Sequence, residues 1–107
     1  GFDWPDISQV LDKIEEEAHE LAEAKDILTQ AEVVEEYGDL MFVMVNFGRH
    51  LKVDAEEALR AANAKFTRRF QYIETELAKQ GRSPKESNLT EMDNLWNHAK
   101  KAERKPA

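Results

Sequence analysis

The sequence contains no cysteine and only four glycines and three prolines among its 107 residues. The lack of cysteine excludes disulfide bonds and thiolate-bound metals, and it fits a reducing compartment. Few glycines and prolines, with a charged fraction of 35%, favour long helices over a β-sandwich or a disordered tail. No apolar run approaches the ~20 residues of a membrane span, and the first residues do not resemble a signal peptide. We therefore expect a cytoplasmic protein without a membrane partner.

The length and the charge restrict the possibilities further. A chain of 107 residues can bury one modest core, so we expect a single domain over residues 1–107, which a longer protein could contain. The net charge of −7 argues against a nucleic acid polymer as a partner. Residues 1–57 carry 16 acidic and 4 basic side chains, whereas residues 58–107 carry 6 and 11. The function must account for an acidic and a basic half.

Apolar side chains recur every three or four residues in four segments, which is the pattern of amphipathic helices. The sequence therefore predicts an all-α, four-helix bundle-like fold. The predicted helices are residues 6–28, residues 31–51, a third helix opened by Asp54 with Glu57 and closed by Gly81, and a short fourth helix opened by Thr90 with Asp93, after which a charged tail begins at Lys100.

The middle of the second helix, from Leu40 to Val45, is apolar on all sides. A helix on the surface of a monomer normally has a polar face. We therefore expect that a second subunit covers part of this helix in a homodimer.

Carboxylates are concentrated on the first two helices. Glu16, Glu17 and Glu20 lie beside the apolar stripe of the first helix, whereas Glu36 lies at the edge of the stripe of the second helix and Asp39 lies further round. If the two helices pack through these stripes, the pairs converge and need a compensating charge, which Mg²⁺ supplies. Glutamate is also a good helix former, so a solvated acidic surface is the alternative.

The basic half carries Lys65, Arg68 and Arg69 on the third helix, and the first and last of these border its apolar face. Such cations can hold phosphate oxygens, although they can also be ordinary surface side chains. Acids suited to a metal, together with this basic cluster, suggest a metal–polyphosphate substrate. Trp96 follows on the fourth helix, where it can stack on a nucleobase or pack in the core.

These residues resemble the MazG-type all-α nucleoside triphosphate pyrophosphohydrolases. The acids follow the pattern E-E-x-x-E, a spacer, and E-x-x-D. The similarity to the catalytic domain at the carboxyl end of MazG also includes Phe2-Asp3-Trp4, Lys13, Glu36-Tyr37-Gly38-Asp39-Leu40, Asn46 with Arg49-His50-Leu51, Asn63-Ala64-Lys65-Phe66, Arg68-Arg69-Phe70 and Trp96.

The resemblance implies an enzyme that hydrolyses NTPs and dNTPs to the monophosphate and pyrophosphate, as nucleotide-pool house-cleaning. It implies a homodimer and a requirement for Mg²⁺, for which Mn²⁺ can substitute. The metal ligands that it implies are Glu17, Glu20, Glu36 and Asp39, with Glu16 as a further catalytic acid. The nucleotide contacts that it implies are Lys13, Glu32, Glu35, Lys65, Arg68, Arg69 and Trp96.

Other classes of protein remain open on the residues alone. A di-iron carboxylate bundle needs two E-x-x-H motifs, and this chain has one, from Glu16 to His19. A noncatalytic helical dimerisation module would use the acids as surface and the Leu40–Val45 run for docking. A nucleotide sensor would bind the same substrate without turnover.

Overall fold

Four α-helices and one 3₁₀ turn make up the secondary structure of residues 1–104, which the computed structural model describes. These residues contain no strand, so the predicted all-α class is confirmed. None of the described helices is long and apolar enough to cross a membrane. The chain divides after Ala58 into two units. The bundle and the single domain stay predictions.

The first two helices form a helical hairpin. Helix α1 is Ile7–Ala24, and it begins where the Asp6 carboxylate accepts a hydrogen bond from the backbone N–H of Ser8 at 2.9 Å. Helix α2 is Gln30–His50, and a capping box with Thr29 begins it. Because residues 25–29 are a short connection and the two helices pack on each other, they run antiparallel.

The core of the first unit follows one face of each helix. On α1 this face is Val10, Ile14, Glu17, Leu21 and Ala24, of which Val10 is fully buried and the others are half-buried. Two polar side chains thus belong to an otherwise apolar core, because Glu17 is part of this face and Asn46 is buried on α2. The remaining core residues of α2 are Leu40, Val43 and Phe47.

Helix α2 ends in a Schellman motif. The backbone N–H of Val53 bonds to the carbonyl of Gly48 at 2.8 Å, and that of Lys52 bonds to the carbonyl of Arg49 at 3.0 Å. Lys52 has the left-handed conformation (φ 61°) that this motif requires. Asp54 then caps the next helix, as predicted, by accepting hydrogen bonds from the following turn.

The second unit contains most of helix α3 (Ala55–Ala78), a 3₁₀ turn (Pro84–Glu86) and helix α4 (Leu89–Arg104). Its buried apolar residues are Ile73, Leu77 and Ala99. Gly81 closes α3 in the left-handed conformation (φ 69°), which confirms the predicted end of this helix.

A polar cluster fixes the start of α4. The guanidinium of Arg82 donates two hydrogen bonds to the carboxylate of Glu91, one of them at 2.8 Å, and the hydroxyl of Ser87 donates a third. These bonds, the Arg82 bonds first, lower the pKa of Glu91 to about 2. The connection between α3 and α4 is therefore held by charge-assisted bonds.

Two predicted helix boundaries are wrong. The first helix was expected to reach residue 28, but it ends at Ala24 because the chain must reverse before the Thr29 capping box. The fourth helix begins at Leu89 rather than at Thr90, since the side chain of Asn88 accepts the hydrogen bond from Glu91 N at 2.8 Å. The charged segment that was expected to follow the fourth helix from Lys100 is helical as far as Arg104.

The depressed pKa of Glu91 predicts how stability depends on pH. The carboxylate stabilises the fold at pH values above its ordinary pKa of 4.5, and this contribution is lost as the pH falls towards 2. We predict that Glu91→Gln lowers the Tm at pH 7, and that the Tm difference from wild type shrinks below pH 4.5, as measured by circular dichroism. Asp93→Asn, which removes an exposed acid of the same helix, is the control. A pH-independent difference would contradict this assignment.

Candidate functional site

Three of the predicted site acids on α1 and α2 lie at similar distances from the turn of the hairpin. Glu17 lies seven residues before the end of α1, and Glu36 and Asp39 lie six and nine residues after the start of α2. At 1.5 Å per residue these distances from the turn are about 10, 9 and 13 Å. Because the helices are antiparallel and packed, the backbone carries Glu17 at the level of Glu36 and Asp39, whereas Glu20, four residues before the end of α1, lies about 6 Å from the turn.

Lys13 places a positive charge among the acids of α1. Its Nζ lies 2.7 Å from Oε1 of Glu17, whose side chain is only 18% exposed. The hydrogen bond to Glu17 raises the pKa of Lys13, and the negative charges of Glu16 and Glu20 raise it further. The site therefore already stabilises one cation, which is the electrostatic condition that a bound metal requires.

The carboxylates of both helices are not gathered around one point. Within residues 1–104, no three Asp, Glu or His side chains are close enough together to hold a metal ion. Exposed carboxylates of like charge repel each other and extend into water. Their donor chemistry fits a hard cation such as Mg²⁺, but shared ligation stays a prediction. Of the predicted metal ligands and catalytic acids, four are exposed: Glu16, Glu20, Glu36 and Asp39.

The acids at the start of α2 have different surroundings. The Glu32 carboxylate accepts hydrogen bonds from the backbone N–H of Thr29 at 3.1 Å and from its hydroxyl at 2.9 Å, and the former chiefly lowers the pKa of Glu32. Glu32 is thus occupied in capping the helix. Glu35 is exposed.

The basic cluster of α3 is paired with an acid that the sequence reasoning missed. The Nε atoms of Arg68 and Arg69 lie 2.7 and 2.9 Å from the two carboxylate oxygens of Glu103. Arg69 is 12% exposed and Arg68 is 58% exposed, which agrees with their predicted positions on the helix, and Lys65 is exposed. One carboxylate therefore bridges two guanidinium groups, as a phosphate could.

Trp96 packs within the second unit. Its ring centroid is 5.7 Å from that of Phe66, and the guanidinium carbon of Arg69 lies 5.3 Å from the indole centroid. Phe66 also stacks on Phe70, with centroids 5.7 Å apart. The indole is only half-buried, so these contacts hold it in place and leave part of its surface accessible.

A polar network near the start of the chain was also missed. Asn46 donates a hydrogen bond to Oδ1 of Asp3 at 2.9 Å, and this bond chiefly lowers the pKa of Asp3. Arg49 donates to Oδ1 of Asn46 at 3.0 Å, and Nε2 of His50 lies 3.7 Å from Asp3. The resemblance included these residues, but helical periodicity could not show that they meet across more than 40 positions.

These features define a class of protein: an all-α chain whose hairpin carries acids suited to a hard cation, and whose third helix carries cations suited to phosphate. Residues 6–73 match the family model of the MazG nucleotide pyrophosphohydrolase domain. The chain belongs to this family, and the predicted resemblance is confirmed.

Two relatives illustrate the similarity. MazG of Thermotoga maritima, named a nucleoside triphosphate pyrophosphohydrolase/pyrophosphatase, is 47% identical over 100 residues, which are 94% of this chain and 38% of that protein. A nucleoside triphosphate pyrophosphohydrolase of Escherichia coli K12 is 42% identical over 105 residues, which are 96% of this chain and 40% of that protein. The chain therefore spans about two-fifths of the length of these relatives.

The bridging carboxylate predicts competition with phosphate ligands. Glu103→Gln removes the negative charge that Arg68 and Arg69 share. We expect tighter binding of inorganic pyrophosphate, by up to about fivefold, when the carboxylate of Glu103 no longer competes for the two guanidinium groups. Calorimetric titration measures this affinity, and Glu74→Gln, an exposed acid of α3, controls for the net charge. Equal affinities of Glu103→Gln and wild type would refute the competition.

Proposed function

We propose that this chain hydrolyses nucleoside triphosphates, both NTPs and dNTPs, to the monophosphate and pyrophosphate in the cytoplasm, as nucleotide-pool house-cleaning. The observation that carries the proposal is the acidic hairpin, where Glu17 lies at the level of Glu36 and Asp39 and already pairs with Lys13. The names of the two relatives support this choice of reaction.

The proposed metal ligands are the carboxylates of Glu17, Glu20, Glu36 and Asp39. Mg²⁺, or Mn²⁺ in its place, supplies charge neutralisation for the phosphates and a more acidic bound water. Glu16 lies outside this ligand set, and its exposed carboxylate is suited to orient the attacking water or to accept its proton.

Lys13 also belongs to the proposed catalytic site. Its ammonium group and a divalent cation are alternative partners for the half-buried carboxylate of Glu17. A divalent cation held by Glu17 would leave the ammonium group of Lys13 free to meet a phosphate oxygen of the substrate. The positive charge at this point of α1 is thus retained throughout binding.

The remaining proposed contacts hold the nucleotide. Lys65, Arg68 and Arg69 bind phosphate oxygens and steady the leaving pyrophosphate. Trp96 contacts the nucleotide through the part of its ring that remains accessible. Glu35 lies near the nucleotide, whereas Glu32 acts through the cap that fixes the start of α2.

The decisive experiment is product analysis. The chain is incubated with each NTP and dNTP and Mg²⁺ or Mn²⁺, and the products are separated by chromatography. Monophosphate with pyrophosphate supports the proposal, whereas diphosphate with orthophosphate contradicts the reaction type. Binding without product would indicate a nucleotide sensor, and neither binding nor product would indicate a noncatalytic dimerisation module.

Glu20→Gln tests the metal ligands. We expect kcat to fall on the order of 100-fold or more, because metal binding contributes several kcal/mol of charge stabilisation. Without metal, the Tm should not fall, since one repulsive charge is lost. Glu23→Gln, another exposed acid of α1, is the matched control. Wild-type activity of Glu20→Gln in Mg²⁺ would show that the site is misplaced.

We also propose that the chain forms a homodimer through α2. A second apolar stripe, separate from the core face, runs along this helix and is 48–61% exposed. A continuous exposed stripe of large apolar side chains is typical of a protein interface, and its spacing matches the seam of paired helices. The stripe consists of Val34, Tyr37, Met41, Met44 and Leu51.

A charge within this stripe should separate the subunits. We expect Met41→Asp to weaken the dimer on the order of 100-fold, because an unpaired charge would be buried at the centre of the interface. Leu59→Asp, which changes an equally exposed residue of α3, should leave the dimer intact. Sedimentation equilibrium measures both. A monomeric wild type, or dimers of equal strength, would disprove the proposed interface.

A further inference from the structure

Within residues 1–104, the ring nitrogen Nε2 of His50 is a buried polar atom that makes no hydrogen bond. His50 is the last residue of α2, and its side chain as a whole is 20% exposed. Oδ1 of Asp3 lies 3.7 Å from this nitrogen, which is too far for a hydrogen bond. Buried polar atoms in native proteins are nearly always bonded, so this exception calls for an explanation.

Asp3 is the residue that attaches the N-terminal segment, residues 1–6, to α2. Its Oδ1 accepts a hydrogen bond from the buried amide of Asn46 at 2.9 Å, and its Oδ2 lies 3.4 Å from Nη1 of Arg49. The next residue, Trp4, lines a cavity of about 450 Å³ between this segment and α2. A bond that Asp3 gains or loses therefore acts on the position of Trp4 and on the start of α1, which follows at Ile7.

The surroundings of His50 favour a positive charge on its ring. The pKa of Asp6 is lowered chiefly by its hydrogen bond to the backbone of α1 and further by the charge of His50. The first turn of α1, Ile7-Ser8-Gln9-Val10, has no ionisable side chain. The negative end of the α2 dipole also favours a cation at this position. The charged groups around His50 are two carboxylates of the N-terminal segment, one guanidinium of α2 and one exposed ammonium of the turn that follows: Asp3, Asp6, Arg49 and Lys52.

We propose that protonation of His50 tightens the attachment of the N-terminal segment to α2. A neutral imidazole carries a proton on only one of its nitrogens, whereas the protonated ring donates from both. A movement of about 1 Å then gives Nε2 a charge-assisted hydrogen bond to the carboxylate of Asp3.

The direction of the pH dependence follows from the two partners. An imidazole ordinarily takes up its second proton near pH 6.5. Asp3 is ionised at that pH, because the bond from Asn46 chiefly holds the pKa of Asp3 below its ordinary value of 3.8. The segment is therefore held more firmly below about pH 6 than above about pH 8. This inference goes beyond the proposed function and does not depend on it.

A double-mutant cycle measures whether the two side chains are coupled through the proton. Asp3→Asn keeps an oxygen that can accept from the amide of α2, and His50→Gln keeps a neutral hydrogen-bonding group. All chains carry Trp96→Phe, so the emission of Trp4, the remaining tryptophan, follows urea unfolding of the first unit. We expect the coupling to shift the unfolding equilibrium about fivefold at pH 5.5 and to vanish at pH 8. In the control cycle His98→Gln, which changes an exposed histidine of α4, should show no coupling to Asp3 at either pH.

Acrylamide quenching of Trp4 measures the attachment in the folded protein. The quenching rate constant, taken from emission lifetimes in the Trp96→Phe chain, reports how much of the Trp4 indole the solvent can reach. We expect this rate constant to fall when the pH drops from 8 to 5.5, because the firmer attachment keeps the indole against α2. His50→Gln should abolish this change. His50→Lys, whose charge is present at both pH values, should give the low rate constant throughout.

Three results would each overturn the proposal. Coupling of equal size at pH 5.5 and pH 8 would show that the contact does not depend on the proton. Quenching that still changes with pH in His50→Gln would assign the titration to another group. Quenching that does not change with pH in the chain with His50 would show that the segment is held equally in both states. Should Asp3→Asn fail to fold, the quenching series, which leaves Asp3 in place, decides. Neither measurement uses a substrate, so these results leave the proposed hydrolysis standing.

Discussion

The organisation of the first unit depends on how one carboxylate is accommodated in an apolar face. Glu17 lies between Ile14 and Leu21 on the face of α1 that forms the core, and its side chain is only 18% exposed. A carboxylate in such a position costs free energy unless a positive charge accompanies it. Lys13, one turn earlier, provides this charge. The same requirement suits the position to a divalent cation. The half-buried carboxylate of Glu17 is therefore the residue of the hairpin that points most directly to a cation site.

Much of the fold is encoded locally, and those parts could be predicted. Helical spacing gave the number and order of the helices, and the side chains of Asp54 and Gly81 marked two of their ends correctly. The end of α1 was missed because its apolar spacing continues to Leu28, past the point where the chain must reverse. The start of α4 was missed because Asn88 and Thr90 are both good caps, and only the bond to Glu91 decides between them.

In the candidate site, too, some features could be predicted from local sequence and others could not. The similar distances of Glu17, Glu36 and Asp39 from the turn follow from counting residues along each helix. The partners of side chains do not follow from counting, because they join distant positions. Periodicity indicated neither the bond from Asn46 to Asp3 nor the pairing of Arg68 and Arg69 with Glu103.

An anion that binds the two guanidinium groups of α3 must displace the carboxylate that already bridges them. The charges of Arg68 and Arg69 are already partly neutralised, since both guanidinium groups pair with the carboxylate of Glu103. A weakly charged anion gains little by displacing it, whereas a chain of several phosphates offers more charge and more oxygens at once. Glu103 would thereby favour ligands with several negative charges over ligands with one.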